Sequence, residues 1–277
     1  MIASELRDTI STMSYIVRTY TKDFILTALL FALPFVLPLF NVGADAGILI
    51  TASSTIFAIV AGFFIADAMA NYLRLQTLVA TENSALVAIA DDARRVDGTG
   101  YVAVHKAIDD YMIAQLDSGT LNHTTQTQDH IDRLDASIHA LSVGPEHASL
   151  YDHIISMQDA IISSRQEMAL AAKKTLSTGH WMTLITFASL VAITVLEIRD
   201  GSLLANIITG LMIVGTQAVL IVLRDIDNNR LLERKLAYEN PREVFHAISQ
   251  PPYYPYFSEV ASRIPDEDGR CRVGVRS

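Results

Sequence analysis

Two carboxylates lie where the surrounding sequence is apolar, and their chemistry comes first. Asp67 follows directly on the uncharged run 46–66, on the helical face of Val60 and Phe63. An ionisable side chain one turn inside a lipid-crossing helix marks an ion or proton pathway, unless it only reaches the headgroups. Both readings stay open. Glu82 interrupts the stripe Leu75, Val79, Leu86, Ile89, Ala93 and Val96, whose 4-3-4-3 spacing describes one buried helical face. A carboxylate at such a position is costly unless paired. It can hold a cation, bridge an arginine such as Arg165, or cap a neighbouring helix, and the salt bridge is the preferred reading.

Ser54, Ala58, Gly62, Ala66 and Ala70 recur every four residues along the same run. Small side chains let helices approach closely in lipid, which is the commoner meaning of such a stripe; the alternative is that they leave room for a passage. With Asp67 they form the pore-lining candidates. Asp45, Glu197 and Asp200, set against Arg199, would draw cations to an outer mouth if several copies formed a ring. In the last apolar run Asn206, Thr209, Gly210, Thr216 and Gln217 read as interhelical hydrogen-bonding glue.

Enzyme and metal chemistry find little to work with. Six of the eight histidines (His105, His123, His130, His139, His147, His153) lie between residues 100 and 160, near Asp129, Asp132 and Asp135. None has a metalloenzyme spacing such as HExxH, so they read as a solvated acidic face. No nucleophile motif and no paired intramembrane aspartates occur. Cys271 is the single cysteine, which excludes a disulfide framework and a CxxC site. A net charge of -9 argues against nucleic acid as a partner. No cofactor and no metal site are expected, although a bound inorganic ion is compatible with the carboxylates.

These residues must be carried by membrane helices. The composition is 51% hydrophobic and 18% charged, with a mean hydropathy of +0.30; soluble domains carry about 25% charged residues. The shortfall is concentrated in four uncharged runs, 24–44, 46–66, 175–196 and 201–223. Each exceeds the roughly 18–20 apolar residues that cross a hydrocarbon core, and backbone groups in lipid must be satisfied within the segment. The expected fold is therefore all-α and polytopic, with four transmembrane helices. The first apolar run carries Pro34 and Pro38 and no small-residue cleavage site after it, so it reads as a kinked span and not a signal peptide. Arginine and lysine divide 20 to 1 between the two sides, Arg199 being the lone outer base. That split places both termini and the central segment in the cytosol of a plasma (bacterial inner) membrane.

The domain reading is an amphipathic segment 1–22, a transmembrane hairpin 23–70, a cytosolic helical domain 71–178, a second hairpin 179–224 and a tail 225–277. The 4-3 stripe predicts that the second span continues unbroken into the cytosol until Asp97-Gly98-Thr99-Gly100. Helices follow at 101–116, around Ile131, Leu134, Ile138 and Leu141, and along Leu150, Ile154, Met157, Ile161, Ser164, Met168 and Ala171. The last is expected to run on into the third span. The tail opens as a helix over 225–238. It then carries Gln250-Pro-Pro-Tyr-Tyr-Pro-Tyr-Phe257, an extended strap that cannot be helical; Pro252, Tyr253, Tyr254 and Pro255 are its candidate subunit contacts.

The segment Ser54–Asp91, STIFAIVAGFFIADAMANYLRLQTLVATENSALVAIADD, resembles the second span and cytosolic extension of the bestrophin-like domain proteins. Their pattern of an apolar span, a nearby arginine, and a glutamate followed by a small residue and leucine is matched at Glu82-Asn83-Ser84-Ala85-Leu86. The resemblance covers roughly residues 24–230. It departs after the fourth span, where Arg224-Asp225-Ile226-Asp227-Asn228-Asn229 replaces a leucine-aspartate-arginine-proline-phenylalanine-like sequence. The resemblance implies a homo-oligomeric ion channel of about five chains in the lipid bilayer. Its second spans would line the pore, and its tail straps would clasp neighbours. The alternative is a membrane-anchored sensor or scaffold whose cytosolic helices bind a partner without conduction.

Overall fold

A computed structural model describes residues 21–39, 46–118, 126–172, 176–228, 241–255 and 271–274. Its elements are α1 (Thr21–Val36), α2 (Ala46–Val96), α3 (Tyr101–Ser118), α4 (Gln128–His139), a 3-10 turn (Pro145–His147), α5 (Ala148–Ala171), α6 (Thr178–Ile198), α7 (Leu203–Asp227), α8 (Pro241–Ala247), β1 (Tyr253–Tyr254) and β2 (Arg272–Val273). The fold is all-α apart from one short parallel pairing in the tail, Tyr253 with Arg272 and Tyr254 with Val273. The chain divides into two compact units: Met1–Ala68 with Leu176–Asp227, and Met69–Thr175 with Asn228–Ser277. Helix α2 contributes to both.

Among the described residues three helices are long and apolar enough to cross a membrane: α2, α6 and α7. The described part of the first uncharged run carries the 16-residue α1, which at about 1.5 Å per residue reaches about 24 Å, short of a hydrocarbon core of about 30 Å. Pro38 cannot extend that helix, and residues 40–45, with Asp45, fall outside the described residues.

In the first unit α1 packs on α7, and α7 on α6. The approach of α1 to α7 is close at Gly210, where a Cβ would lie 2.9 Å from the Phe31 ring and 3.0 Å from its carbonyl oxygen. At one end Arg224 grips Asp23 through two bonds of 2.9 and 2.7 Å. At the other, the buried Arg199 guanidinium donates to the carbonyls of Pro34, Leu37 and Pro38. Helix C-termini leave carbonyls without partners, and here Arg199 satisfies those at the end of α1.

The second unit is a helical bundle. Leu75, Val79, Glu82, Leu86, Ile89, Ala93 and Val96 are all buried, as their spacing requires. Leu86, Ile89, Ala93 and Val96 share one core with Val104, Ile108, Tyr111 and Met112 of α3, Leu134 and Ile138 of α4, Ile154 and Ile161 of α5, and Phe245 of α8, while Leu75 and Val79 pack with Met168 and Ala171 of α5. Helix α2 ends at Asp97, whose carboxylate accepts from the backbone of Thr99, Gly100 and Ser142. Those bonds, Gly100 foremost, hold its carboxyl well below the usual range.

One expected continuity fails. Helix α5 stops at Ala171, and α6 starts afresh behind Ser177, which has extended backbone and a capping box with His180. Ser177 accepts from the His180 backbone, and His180 returns the bond through its ring nitrogen. Ser177 and His180 together form an N-terminal helix signal. The tail helix expected over 225–238 is described only as the end of α7 at Asp227. The amphipathic 1–20 segment also falls outside the described residues.

Leu86 is fully buried at the centre of the bundle. Leu86→Ala is expected to cost about 2–5 kcal/mol through lost contacts and a residual cavity. A denaturant midpoint in detergent that did not move would refute this placement of the core.

Candidate functional site

The membrane half of α2 has two unlike faces. Ser53, Phe57, Ala61 and Ala68 are buried in the first unit. The Ser53 hydroxyl lies 3.3 Å from that of Thr194, and the Phe64 ring packs at 4.8 Å on His180. The small-residue stripe is rotated away from these contacts. Ala58, Gly62, Ala66, Asp67 and Ala70 are exposed, and only Ser54 is half-buried, donating to the Ile50 carbonyl. A Cβ placed on Gly62 would meet nothing within 4 Å. Close approach of helices is therefore not what the stripe does among the described residues of this chain. At the junction of α6 and α7, Glu197 is half-buried and Asp200 exposed, its carboxylate accepting from the Ser202 backbone at 2.8 Å.

Glu82, at 0% exposure, centres the second candidate feature. Tyr111 donates its hydroxyl hydrogen to the carboxylate, and the Gln115 amide donates to the other oxygen at 3.3 Å. Arg165 stands behind them. Its Nη1 donates to the Tyr111 hydroxyl at 2.7 Å and to Thr127 at 2.9 Å, and its guanidinium lies 5.4 Å from the Tyr111 ring centre. The four side chains come from α2, α3 and α5, with Thr127 just ahead of α4. Burial pushes the Glu82 carboxyl up from 4.5 to about 7; the Tyr111 bond, the Arg165 charge and the Gln115 bond hold it from rising further. Burial and the Glu82 charge keep the Tyr111 hydroxyl far above its ordinary value.

Arginine 165 thus stands where the sequence suggested, but Tyr111, Gln115 and Thr127 were not anticipated. A signal existed for two of them. Val104, Ile108, Tyr111 and Gln115 form a 4-3-4 stripe on α3 that, like that of α2, contains a polar intruder. Thr127 carries no comparable mark.

Other expected features disperse. His105 is buried with Nε2 3.0 Å from the Ala90 carbonyl, His153 pairs with Asp92 at 2.6 Å, and His139 lies 3.9 Å from Asp135. No group of three or more His, Cys, Asp or Glu side chains suited to a metal occurs among the described residues. In the strap Tyr253, Tyr254 and Pro255 are buried in their own chain, with Pro252 half-buried. The Tyr253 hydroxyl donates to Asp117 at 2.8 Å, and Arg242 donates to Tyr254 at 2.8 Å. The adjoining strand is fixed by a bidentate pair of Arg272 with Asp109, at 2.6 and 2.5 Å.

The family model for the bestrophin-like domain matches residues 24–228. The chain belongs to that family. The match takes in every residue from the start of the first apolar run to the end of α7, including the open face of α2 and the Glu82 cluster, and leaves the strap outside. The family is one of membrane ion-channel-like proteins and not of enzymes. No curated protein and no solved structure matches the chain. In this bestrophin-like chain Asp227, the last residue of α7, accepts from the Leu176 backbone at 3.0 Å and the Trp181 indole at 3.3 Å. This acid ties the start of α6 to the end of α7.

Because folded Glu82 holds its proton more tightly than the unfolded chain does, its contribution to stability is full below pH 4.5 and is lost as pH rises to about 7. The slope in that window approaches about 1.4 kcal/mol per pH unit. Glu82→Gln, whose amide oxygen can still accept from Tyr111, is expected to flatten the profile of unfolding against pH. An identical slope in the variant would assign the dependence to another group.

Proposed function

We propose that this chain forms an oligomeric ion channel whose pore is lined by the membrane half of α2. One observation carries the reading. The small-residue stripe Ser54, Ala58, Gly62, Ala66 and Ala70 is turned away from the packing of its own chain, and membership of a channel-like family supplies the use for such a surface. In this reading the run 24–44 is a fourth span, with the residues after α1 completing what the 16-residue helix does not reach alone. Both termini and the bundle of α3, α4 and α5 then lie in the cytosol, in keeping with the distribution of basic residues. About five copies close a ring by cyclic symmetry.

Small side chains on α2 set the bore, and Asp67 adds a ring of carboxylates at its cytosolic end. A carboxylate ring favours cations over anions by electrostatics alone. Asp45, Glu197 and Asp200 extend the same sign to the outer mouth. The burial of Tyr253 and Tyr254 against their own α3 and α8 leaves Pro252 and the chain beyond Pro255 as the parts of the strap able to reach a neighbour.

Purified protein in liposomes is expected to pass monovalent cations in preference to anions. Gly62→Phe, whose side chain would project from the open face, should abolish flux without changing the mass of the oligomer. Asp67→Asn should leave flux intact and lower the cation-to-anion ratio. A monomer in detergent, or an intact oligomer with no flux of either sign, would overturn the channel and return the chain to a scaffold role.

A further inference from the structure

Arg165 faces two places at once. On one side lies the Glu82 cluster. On the other, the same residue lines a cavity of about 550 Å³ together with Gln128, Asp132, Asp135 and Gln158. We propose that Glu82 on one side and Asp132 with Asp135 on the other are alternative seats for the Arg165 guanidinium, exchanged as a proton enters or leaves Glu82.

Two carboxylates line the cavity, Asp132 exposed and Asp135 half-buried. Asp132 accepts from the Gln128 amide at 2.9 Å, and Asp135 accepts from the Gln158 amide. Both donors are neutral, so these bonds leave the two charges in place. His139 lies 3.9 Å from Asp135 and is exposed. The Gln158 Oε1 is buried with no hydrogen-bond partner, and an entering guanidinium would supply the donor it lacks. A flexible arginine needs only side-chain rotation to pass between seats, because it already borders both.

Protonation of Glu82 supplies the drive. Arg165 is 5% exposed, and a buried cation that loses its anion is strongly disfavoured. Two carboxylates across the side chain then become the better partners. The vacated place is refilled locally: the Tyr111 hydroxyl, freed from Arg165, turns from donor to acceptor for the new proton on Glu82. Thr127 is also released. It occupies the N-cap position of α4 without a side-chain capping bond, its hydroxyl accepting from Arg165 instead, and on release it can cap the helix. The groups facing Glu82 are thus Tyr111 and Gln115 from α3, Arg165 from α5 and Thr127. Those facing the second seat are Asp132 and Asp135, the latter beside His139. Only Glu82 among the first set changes charge near neutrality, since burial carries its carboxyl to about 7 while Tyr111 is pushed far above that range.

As a control on ion passage the exchange rests on the channel reading; as a change of partners it does not. Hydrogen exchange on the full chain in detergent, corrected for intrinsic rates, tests it on either side of pH 7. The first turn of α4 is expected to change protection about tenfold between the two conditions in the wild type. Glu82→Gln should show the low-pH pattern at both, and Asp132→Asn with Asp135→Asn should hold the high-pH pattern at both. A wild-type pattern independent of pH, or a doubly substituted chain that shifts as the wild type does, overturns the exchange. A retained shift in protein that passes no ions leaves the exchange standing and removes the channel.

Discussion

The bundle is organised around a charge that a helix core ordinarily excludes. Glu82 occupies a core position of α2, and a carboxylate there is tolerated only because neighbouring helices turn polar side chains toward it. Tyr111 and Gln115 from α3 and Arg165 from α5 all converge on that point. Each is itself buried, so the requirement propagates: the phenol must be met by the guanidinium, and the guanidinium by Thr127. Apolar packing around Leu86, Ile89 and Ile108 supplies most of the cohesion. It would accept several relative rotations of the helices. The polar cluster accepts one, because each of its members is satisfied only in that register.

The membrane half obeys a different constraint, the need to leave no backbone group unsatisfied in a medium without water. Several of its charged side chains sit at helix ends and serve other segments. Arg199 holds three carbonyls at the end of α1, Asp227 takes the backbone of Leu176, and Arg224 grips Asp23. With the ends fixed in this way, the middle of α2 is free to expose small residues.

How much of this could be read from the residues depended on which force decided each feature. The buried face of α2 was legible because burial on a helix repeats every three or four residues, and all seven members of the stripe came out buried. Glu82 was legible as the exception to that repeat. Arg165 could be named as a partner because few buried cations were available. The interruption between α5 and α6 was missed because Ser177 and His180 act through local backbone bonds, which carry no hydrophobic period. The end of α1 at Val36 was not legible for a related reason: an uncharged run reports solubility in lipid, whereas Pro38 lies just past the helix and disfavours its continuation by geometry. The short strand pairing of the tail joins residues almost twenty apart, and no local pattern reveals such a partner.

A last step concerns why a carboxylate should persist at position 82 at all. Replacing a buried ion pair with apolar side chains of similar volume is often neutral or stabilising, so stability alone does not explain the cluster. Register offers one reason, since the hydrogen bonds fix helices that leucine and isoleucine would let slide. Proton binding offers another, and it requires the very burial that makes the site costly. An exposed glutamate titrates well below neutrality and would be ionised at every pH a cytosol visits. Only a fully buried one, partly compensated by Tyr111 and Arg165, has its charge balanced near pH 7. The same helix that carries this group also carries the open stripe of Ala58, Gly62 and Ala66, so a single element holds both the feature suited to sensing and the feature suited to conduction.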